Sequence, residues 1–351
     1  LRLEYLPSPS PWRQAAAVAL AILAALGVAG LVFWAYGVPP LTAYATLLRG
    51  TLADPNGWAE VLRRAIPLIL VGAGLSLAFR AQFYNIGAEG QIAIGATAAA
   101  GVALFWPIEA PWMLPTMFLA GFLAGAAYAL VAALLRAGLG VNEILTTLML
   151  NYIAYYLVQY LVQGPWRGRS LFGFAFTDPF PPQAVLPTLP GTLVHWPTLV
   201  LGVLLALLLQ FLLSRTTLGF RLRVVGANPQ AARYVGIPVG PTLLVAALIT
   251  GGLAGLAGVG EVASIHKKLL DSSNITLGYG FSAIIVAYLA RGQPAWAILT
   301  AFLMAVLFAG GDVLKVAFQM PFRVMDVFSG LFLLFLIASD FFAQHRVRWG
   351  R

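Results

Sequence analysis

What most limits the folding of this chain is the recurrence, from one end to the other, of apolar runs long enough to cross a bilayer. A spanning helix needs about 20 largely apolar residues, rising about 1.5 Å each, and stretches of that kind follow one another between residues 15 and 341. Composition agrees: 60% of residues are hydrophobic, only 9% are charged, and the mean hydropathy is +0.87. These values predict an all-α polytopic membrane protein with about ten transmembrane helices. The excess of Lys and Arg over acids, 21 against 12, would elsewhere suggest nucleic acid. In a membrane protein, cytoplasmic loops and anionic lipid account for it, so the lipid bilayer is the expected partner and nucleic acid is not. No Cys is present, and His195, His266 and His345 are scattered, so neither a metal site nor a cofactor is expected.

Taken in order, residues 1–14 form a polar, Pro-rich segment placed in the cytoplasm. A first run, 15–36, reads as a retained span, with a loop through Pro39, Pro40 and Asp54 after it. Further spans are expected near 64–79, 92–106, 112–135 and 141–162, completing a first half over 15–163. Residues 164–195 carry six prolines and read as an extracellular loop. The second half, 196–342, holds spans near 196–213, 241–262, 280–291, 295–309 and 324–341, and a cytoplasmic tail covers 343–351. With this parity Trp34, Trp58, Trp106, Trp112, Trp166 and Trp196 fall near the outer interface, where indoles anchor.

Five spans per half would make the halves enter the membrane from opposite sides, the arithmetic of an inverted-topology repeat. A short echo supports it: Asn85-Ile86 with Gly87, Glu89 and Gly90 resembles Asn274-Ile275 with Gly278, Tyr279 and Gly280.

Three polar clusters sit at membrane depth, where ionisable groups normally face protein or water. Asn85, Glu89 and Gln91 lie among glycines that permit an unwound backbone. Glu143, Thr147 and Asn151 recur every fourth residue and form a stripe on one helix face, with Asn142 and Thr146 beside it. Ser272, Ser273, Asn274, Thr276 and Tyr279 make the third cluster. Two readings stay open, a path for a neutral polar solute and hydrogen bonding between helices.

Between spans lies the longest basic polar segment, 215–238, with Arg215, Arg221, Arg223 and Arg233 and no acid. Asn228 as N-cap, Pro229 at the first position and Gly236 before Pro238 predict a helix of about two turns. So short a helix needs a packing partner, and Ala227, Ala231 and Ala232 offer a small-residue face. Lys267, Lys268, Lys315, Arg323, Arg167 and Arg169 fall on the outer side against the usual bias: either the topology differs locally, or they meet an acidic partner docking from outside, or they snorkel.

Residues 83–91 (FYNIGAEGQ), 142–152 (NEILTTLMLNY), 225–237 (VGANPQAARYVGI) and 277–290 (LGYGFSAIIVAYLA) together resemble the permease subunits of ABC importers of the branched-chain amino acid and simple sugar type, nearest the nucleoside permeases. The resemblance implies a cytoplasmic ABC ATPase subunit, a second related permease and an extracellular solute-binding lipoprotein. It implies path-lining roles for Asn85, Glu89, Asn142, Thr146, Asn151 and Asn274, to which the clusters add Gln91 and Tyr279. It also makes 225–237 similar to a coupling helix that enters the ATPase, with Arg221, Arg223, Gly226, Asn228, Ala231, Ala232, Arg233 and Gly236 as candidates. Sugar, autoinducer and riboflavin permeases share the scaffold, so the solute is open. The chain has no GxxxxGK[ST] phosphate loop and is not expected to hydrolyse ATP. An ion-coupled secondary transporter is the competing class, expected to carry acids within its spans.

Overall fold

The computed structural model describes residues 2–5, 10–169, 175–320 and 345–348, with scattered positions between 327 and 339. Among these the regular structure is helical except for an antiparallel pair, β1 (Arg2–Tyr5) with β2 (His345–Arg348), which sets Arg2 opposite Arg348. The helices are α1 (Pro11–Ala35), α2 (Pro40–Leu48), α3 (Pro55–Arg80), α4 (Ala88–Phe105), α5 (Met113–Leu139), α6 (Glu143–Gln163), α7 (Trp196–Arg215), α8 (Thr217–Ala227), α9 (Pro229–Tyr234), α10 (Val239–Gly260), α11 (Ser272–Thr276), α12 (Tyr279–Leu289) and α13 (Trp296–Phe318). By length and hydropathy 8 segments can cross a membrane, and α1 with α2, bent by 109°, would be a ninth. The tenth expected span, 324–341, lies largely outside the described residues.

Several boundaries differ from the sequence reading, each for a local reason. The loop expected after the first span is instead α2, continued by a π-helical turn, Arg49–Ala53. Pro40 in the expected loop opens a helix, as does Pro55, because a missing N–H costs nothing at that position. Helix α3 starts at Pro55 rather than near residue 64, so Glu60, Arg63 and Arg64 lie within it. The basic segment holds two helices, α8 and α9, rather than one.

The chain packs as two compact units, Leu1–Trp58 with Val306–Arg351, and Ala59–Ala305. In the first, α2 folds back on α1: the Tyr44 hydroxyl donates to the Leu26 carbonyl, and the Phe33 and Tyr44 rings lie 5.5 Å apart, edge to face. The second is built on α4, α5 and α10, which meet backbone to backbone. A Cβ at Gly255 would lie 2.1 Å from the Gly121 carbonyl oxygen, and one at Gly95 only 2.3 Å from the Gly255 Cα. The Gly-rich run of α10 is therefore a packing surface, the way membrane helices without a hydrophobic drive between them gain close contact.

Candidate solute path and coupling element

Helix α3 stops at Arg80 and α4 begins at Ala88, leaving an unwound stretch between them inside the second unit. Free backbone groups there need partners, and the stripe predicted on α6 provides them. Thr147 Oγ1 accepts from the Ile86 N–H at 3.1 Å. Asn151 accepts from the Gly90 N–H at 2.8 Å and donates to the Ile86 carbonyl at 3.0 Å. Glu143 is paired with Arg136 at 2.5 Å, and Arg136 also donates to the Gln82 carbonyl at 2.8 Å. Within the stretch, Asn85 and Gln91 exchange side-chain hydrogen bonds at 2.8 and 3.0 Å, and Asn85 accepts from the Gly87 N–H at 2.9 Å.

A second break lies between α11 and α12, where Leu277 and Gly278 take left-handed conformations with φ of 45° and 77°. The two breaks meet. The Glu89 carboxylate, in the first turn of α4, accepts from the Gly278 N–H at 3.0 Å and the Gly280 N–H at 2.7 Å. A negative group here also faces the positive end of α12. The echo between the two motifs thus falls on segments that touch, since a Cβ at Gly280 would come within 2.2 Å of the Glu89 nitrogen.

Beside this crossing is a cavity of about 330 Å³. Its walls are Glu89, Gly90 and, on α6, Leu148, Asn151, Tyr152, Tyr155 and Tyr156, faced by Ser272, Ser273, Thr276 and Phe281. Of the eight candidate path residues, Glu89 and Asn151 line it. Asn85, Gln91 and Tyr279 are fully or almost fully buried away from it. Asn142 caps α6, its side chain accepting from the Ile144 N–H at 2.9 Å, and Thr146 bonds back to the Asn142 carbonyl at 2.9 Å. Asn274 is exposed on α11. The tyrosines and Phe281 were missed because an aromatic in an apolar run carries no polarity signal.

The basic segment forms the predicted capped helix. Asn228 accepts from the N–H groups of Gln230 and Ala231 at 2.9 and 3.1 Å, and Gly236 has φ of 79°. The alanine face is divided: Ala232 is buried, whereas Ala227 and Ala231 are exposed. Tyr234, 93% exposed, is the most exposed large apolar side chain among the described residues. Arg221 and Arg233 are exposed, and Arg223 donates to the Leu213 carbonyl. Gly226 is buried where a Cβ would sit 1.9 Å from the Arg80 carbonyl oxygen, joining α8 to the end of α3. Arg80 in turn donates to the Gly292 carbonyl at 2.9 Å, just beyond α12.

Four of the six cations assigned to the outer side belong to one assembly. The Pro-rich loop bonds to the segment after α10 through Phe180 N–H to Lys267 O at 2.8 Å, Thr177 N–H to Leu269 O at 3.1 Å and Leu186 N–H to Ala263 O at 2.9 Å. Lys268 stands 4.3 Å over the Phe176 ring, and Arg167, Arg169 and Lys267 are exposed. Lys315 lies on α13 in the other unit, and Arg323 lies outside the described residues.

Sequence reading also missed a buried ionic cluster. Glu60 accepts from Arg63 and Arg64 at 2.8 and 2.7 Å, and Arg63 reaches to 4.0 Å from Glu261. Glu261 is 0% exposed, and neither of its oxygens has a hydrogen-bond partner among the described residues. His195, 1% exposed, has no partner there for either ring nitrogen. Burial, aided by the charge of Arg63, lowers its pKa to about 3. The spacing Glu60, Arg63, Arg64 on one helix face was the available signal.

An apolar bundle in which two unwound stretches meet beside a cavity is the architecture of a multi-pass membrane protein. The family described as the branched-chain amino acid transport system permease component matches residues 57–337. A glucose ABC transporter permease of Haloferax volcanii is 37% identical over 99% of this chain and 93% of its own length. Two guanosine ABC transporter permeases of Bacillus subtilis are 29% and 30% identical, covering 91% and 67% of this chain and 92% and 75% of their own lengths. This chain belongs to that family: it is an ABC transporter permease, not itself an enzyme, and ATP hydrolysis resides on a separate subunit.

Proposed function

We propose that this chain forms one wall of the translocation path of an ATP-driven importer whose solute is a nucleoside. The observation that carries the path is the crossing of the two breaks at Glu89, beside a cavity walled by side chains from both. Unwound backbone at membrane depth is tolerated where it is buried in protein or lines a cavity, and both stretches here border one. In this reading the two halves are related by an inverted repeat, with both chain termini and the 215–238 segment in the cytoplasm. The permease pairs with a related permease, consistent with two guanosine permeases of one organism both resembling this chain. A solute-binding lipoprotein docks outside near Arg167, Arg169, Lys267 and Lys268. A simple sugar is the second reading, favoured by the glucose permease relative at 37% identity.

Helix α9 is the coupling element: too short to stand alone, capped at both ends, and exposing Ala231, Arg233 and Tyr234. Rigid movement of this element would reach α3 through Gly226 and Arg80. Because Ala232 is buried, the test uses Ala231→Glu with Tyr234→Glu. The doubly substituted transporter, reconstituted in vesicles, is expected to lose ATP-driven uptake while its elution profile is unchanged. Undiminished uptake would show that the ATPase grips another surface.

A further inference from the structure

The polar side chains that the sequence assigns to the solute are already engaged. Both oxygens of Glu89 hold backbone N–H groups, the Asn151 amide is bonded at both atoms, and Asn85 and Gln91 bond each other. Apart from the Ser272 hydroxyl, what the cavity leaves unengaged is aromatic. Tyr152 and Tyr156 are 58% and 62% exposed, and Tyr160, one turn further along the same helix, is 66% exposed. None of the hydroxyls of Tyr152, Tyr155 and Tyr156 makes a hydrogen bond among the described residues.

Depth makes this informative. Tyr152 lies nine residues into the 21-residue α6, about 14 Å from its start at 1.5 Å per residue, near the middle of a bilayer core about 30 Å thick. A phenol hydroxyl turned into hydrocarbon at that level would stay unbonded, at a cost of about 2 kcal/mol or more. The stripe therefore faces water, a solute or protein. The rings of Tyr155 and Tyr156 pack edge to face, centroids 5.2 Å apart, which leaves them set at 83° to each other on one wall. Phe281 adds an aromatic from the opposite element.

We infer that Tyr152 and Tyr156 are specificity-determining residues which hold the passing solute by stacking on a ring face, while their hydroxyls bond its polar edge. The inference rests on the path proposed above. The chemistry recognised is a neutral ring with one apolar face and peripheral hydroxyls, as in a nucleoside or a hexose. A wall without free amides or charges would grip such a ring weakly and release it, as conduction through a gate requires. A planar base gains more from this wall than a puckered sugar, because stacking depends on flat π contact.

The test uses the complete transporter in vesicles with saturating loaded binding protein, measuring uptake of guanosine, uridine and glucose beside ATP hydrolysis. Tyr152→Ala and Tyr156→Ala are expected to reduce nucleoside uptake about tenfold, the scale of one lost stacking contact, with stimulated ATP hydrolysis retained. Tyr152→Phe, which keeps the face, should retain at least half. A photoreactive azidoguanosine should label the α6 peptide in the wild type and not in Tyr152→Ala. Loss confined to glucose uptake assigns the wall to a sugar ring. Uptake unchanged in both alanine variants, or Phe as damaging as Ala, overturns stacking. A wild-type complex that hydrolyses ATP yet moves none of these solutes overturns the functional reading instead, and the wall assignment with it.

Discussion

Glu89 ties the two breaks together, and its removal has a size that follows from geometry. Its two oxygens accept from Gly278 and Gly280 at 3.0 and 2.7 Å, so one carboxylate group strengthens both bonds. Hydrogen bonds to a charged group contribute about 1.5 to 3 kcal/mol each. Glu89→Gln keeps one accepting oxygen but turns an NH2 toward the other N–H, so it loses one bond and adds a donor facing a donor. About 2 to 3 kcal/mol is lost locally, enough to raise the open population of the α11–α12 break roughly 30- to 150-fold. Glu89→Ala loses both bonds and should go further. The reporting amides are those of Gly278 and Gly280 themselves. Hydrogen exchange in lipid nanodiscs should accelerate in the peptide spanning 276–282 for both variants, while the α4–α5–α10 seam, held by glycine packing, keeps its protection. Unchanged exchange at those two amides in both variants would refute the idea that Glu89 holds the breaks together.

Two further outcomes follow from packing and charge. A methyl group at Gly255 would sit 2.1 Å from the Gly121 carbonyl oxygen, whereas one at Gly138 meets nothing within 4 Å. Gly255→Ala should therefore destabilise by about 3 kcal/mol and lower the melting temperature in detergent, while Gly138→Ala leaves it unchanged or slightly higher; equal melting of the two variants would contradict the seam. His195 is neutral when folded, its pKa lowered to about 3, so below its ordinary value near 6.5 only the unfolded chain takes the proton. Stability should be fully present above that pH and fall as pH drops, by about 2 kcal/mol at pH 5. His195→Gln should flatten this dependence, and an unaltered slope would place the titration elsewhere.

Features set by local rules were legible. Asn228, Pro229 and Gly236 spell out α9 because caps act over three or four residues. The stripe Glu143, Thr147, Asn151 was legible as a stripe because it follows the helical period. Periodicity names a face but not what it meets: the glycines allowed an unwound backbone near Asn85, but that the α6 stripe bonds to it was hidden behind two open readings. Helix α2 was lost to the two prolines at its start, which mark helix starts as readily as loops. The Arg63 and Glu261 pairing joins residues far apart in sequence, and nothing local to either announces it. Within the candidate site, the polar half was read and the aromatic half was not.

That division has a physical cause with a functional consequence. Unwound backbone inside a bilayer leaves N–H and C=O groups that no water can satisfy, so the chain must bring its own partners. Glu89, Asn151, Thr147 and the Asn85–Gln91 pair are those partners, and each hydrogen bond they make to the breaks is one they cannot offer to a solute. In the proposed path, the polar signature therefore serves the breaks and does not name what passes along it. Selection in that reading falls to side chains free of that duty, the rings and hydroxyls on α6 and Phe281. These positions can change without unsettling the breaks, because no backbone group depends on them. On this account permeases for glucose and for guanosine can both resemble one chain along most of its length, and the solute is to be read from residues 152, 155, 156 and 281 rather than from the motif at 83–91.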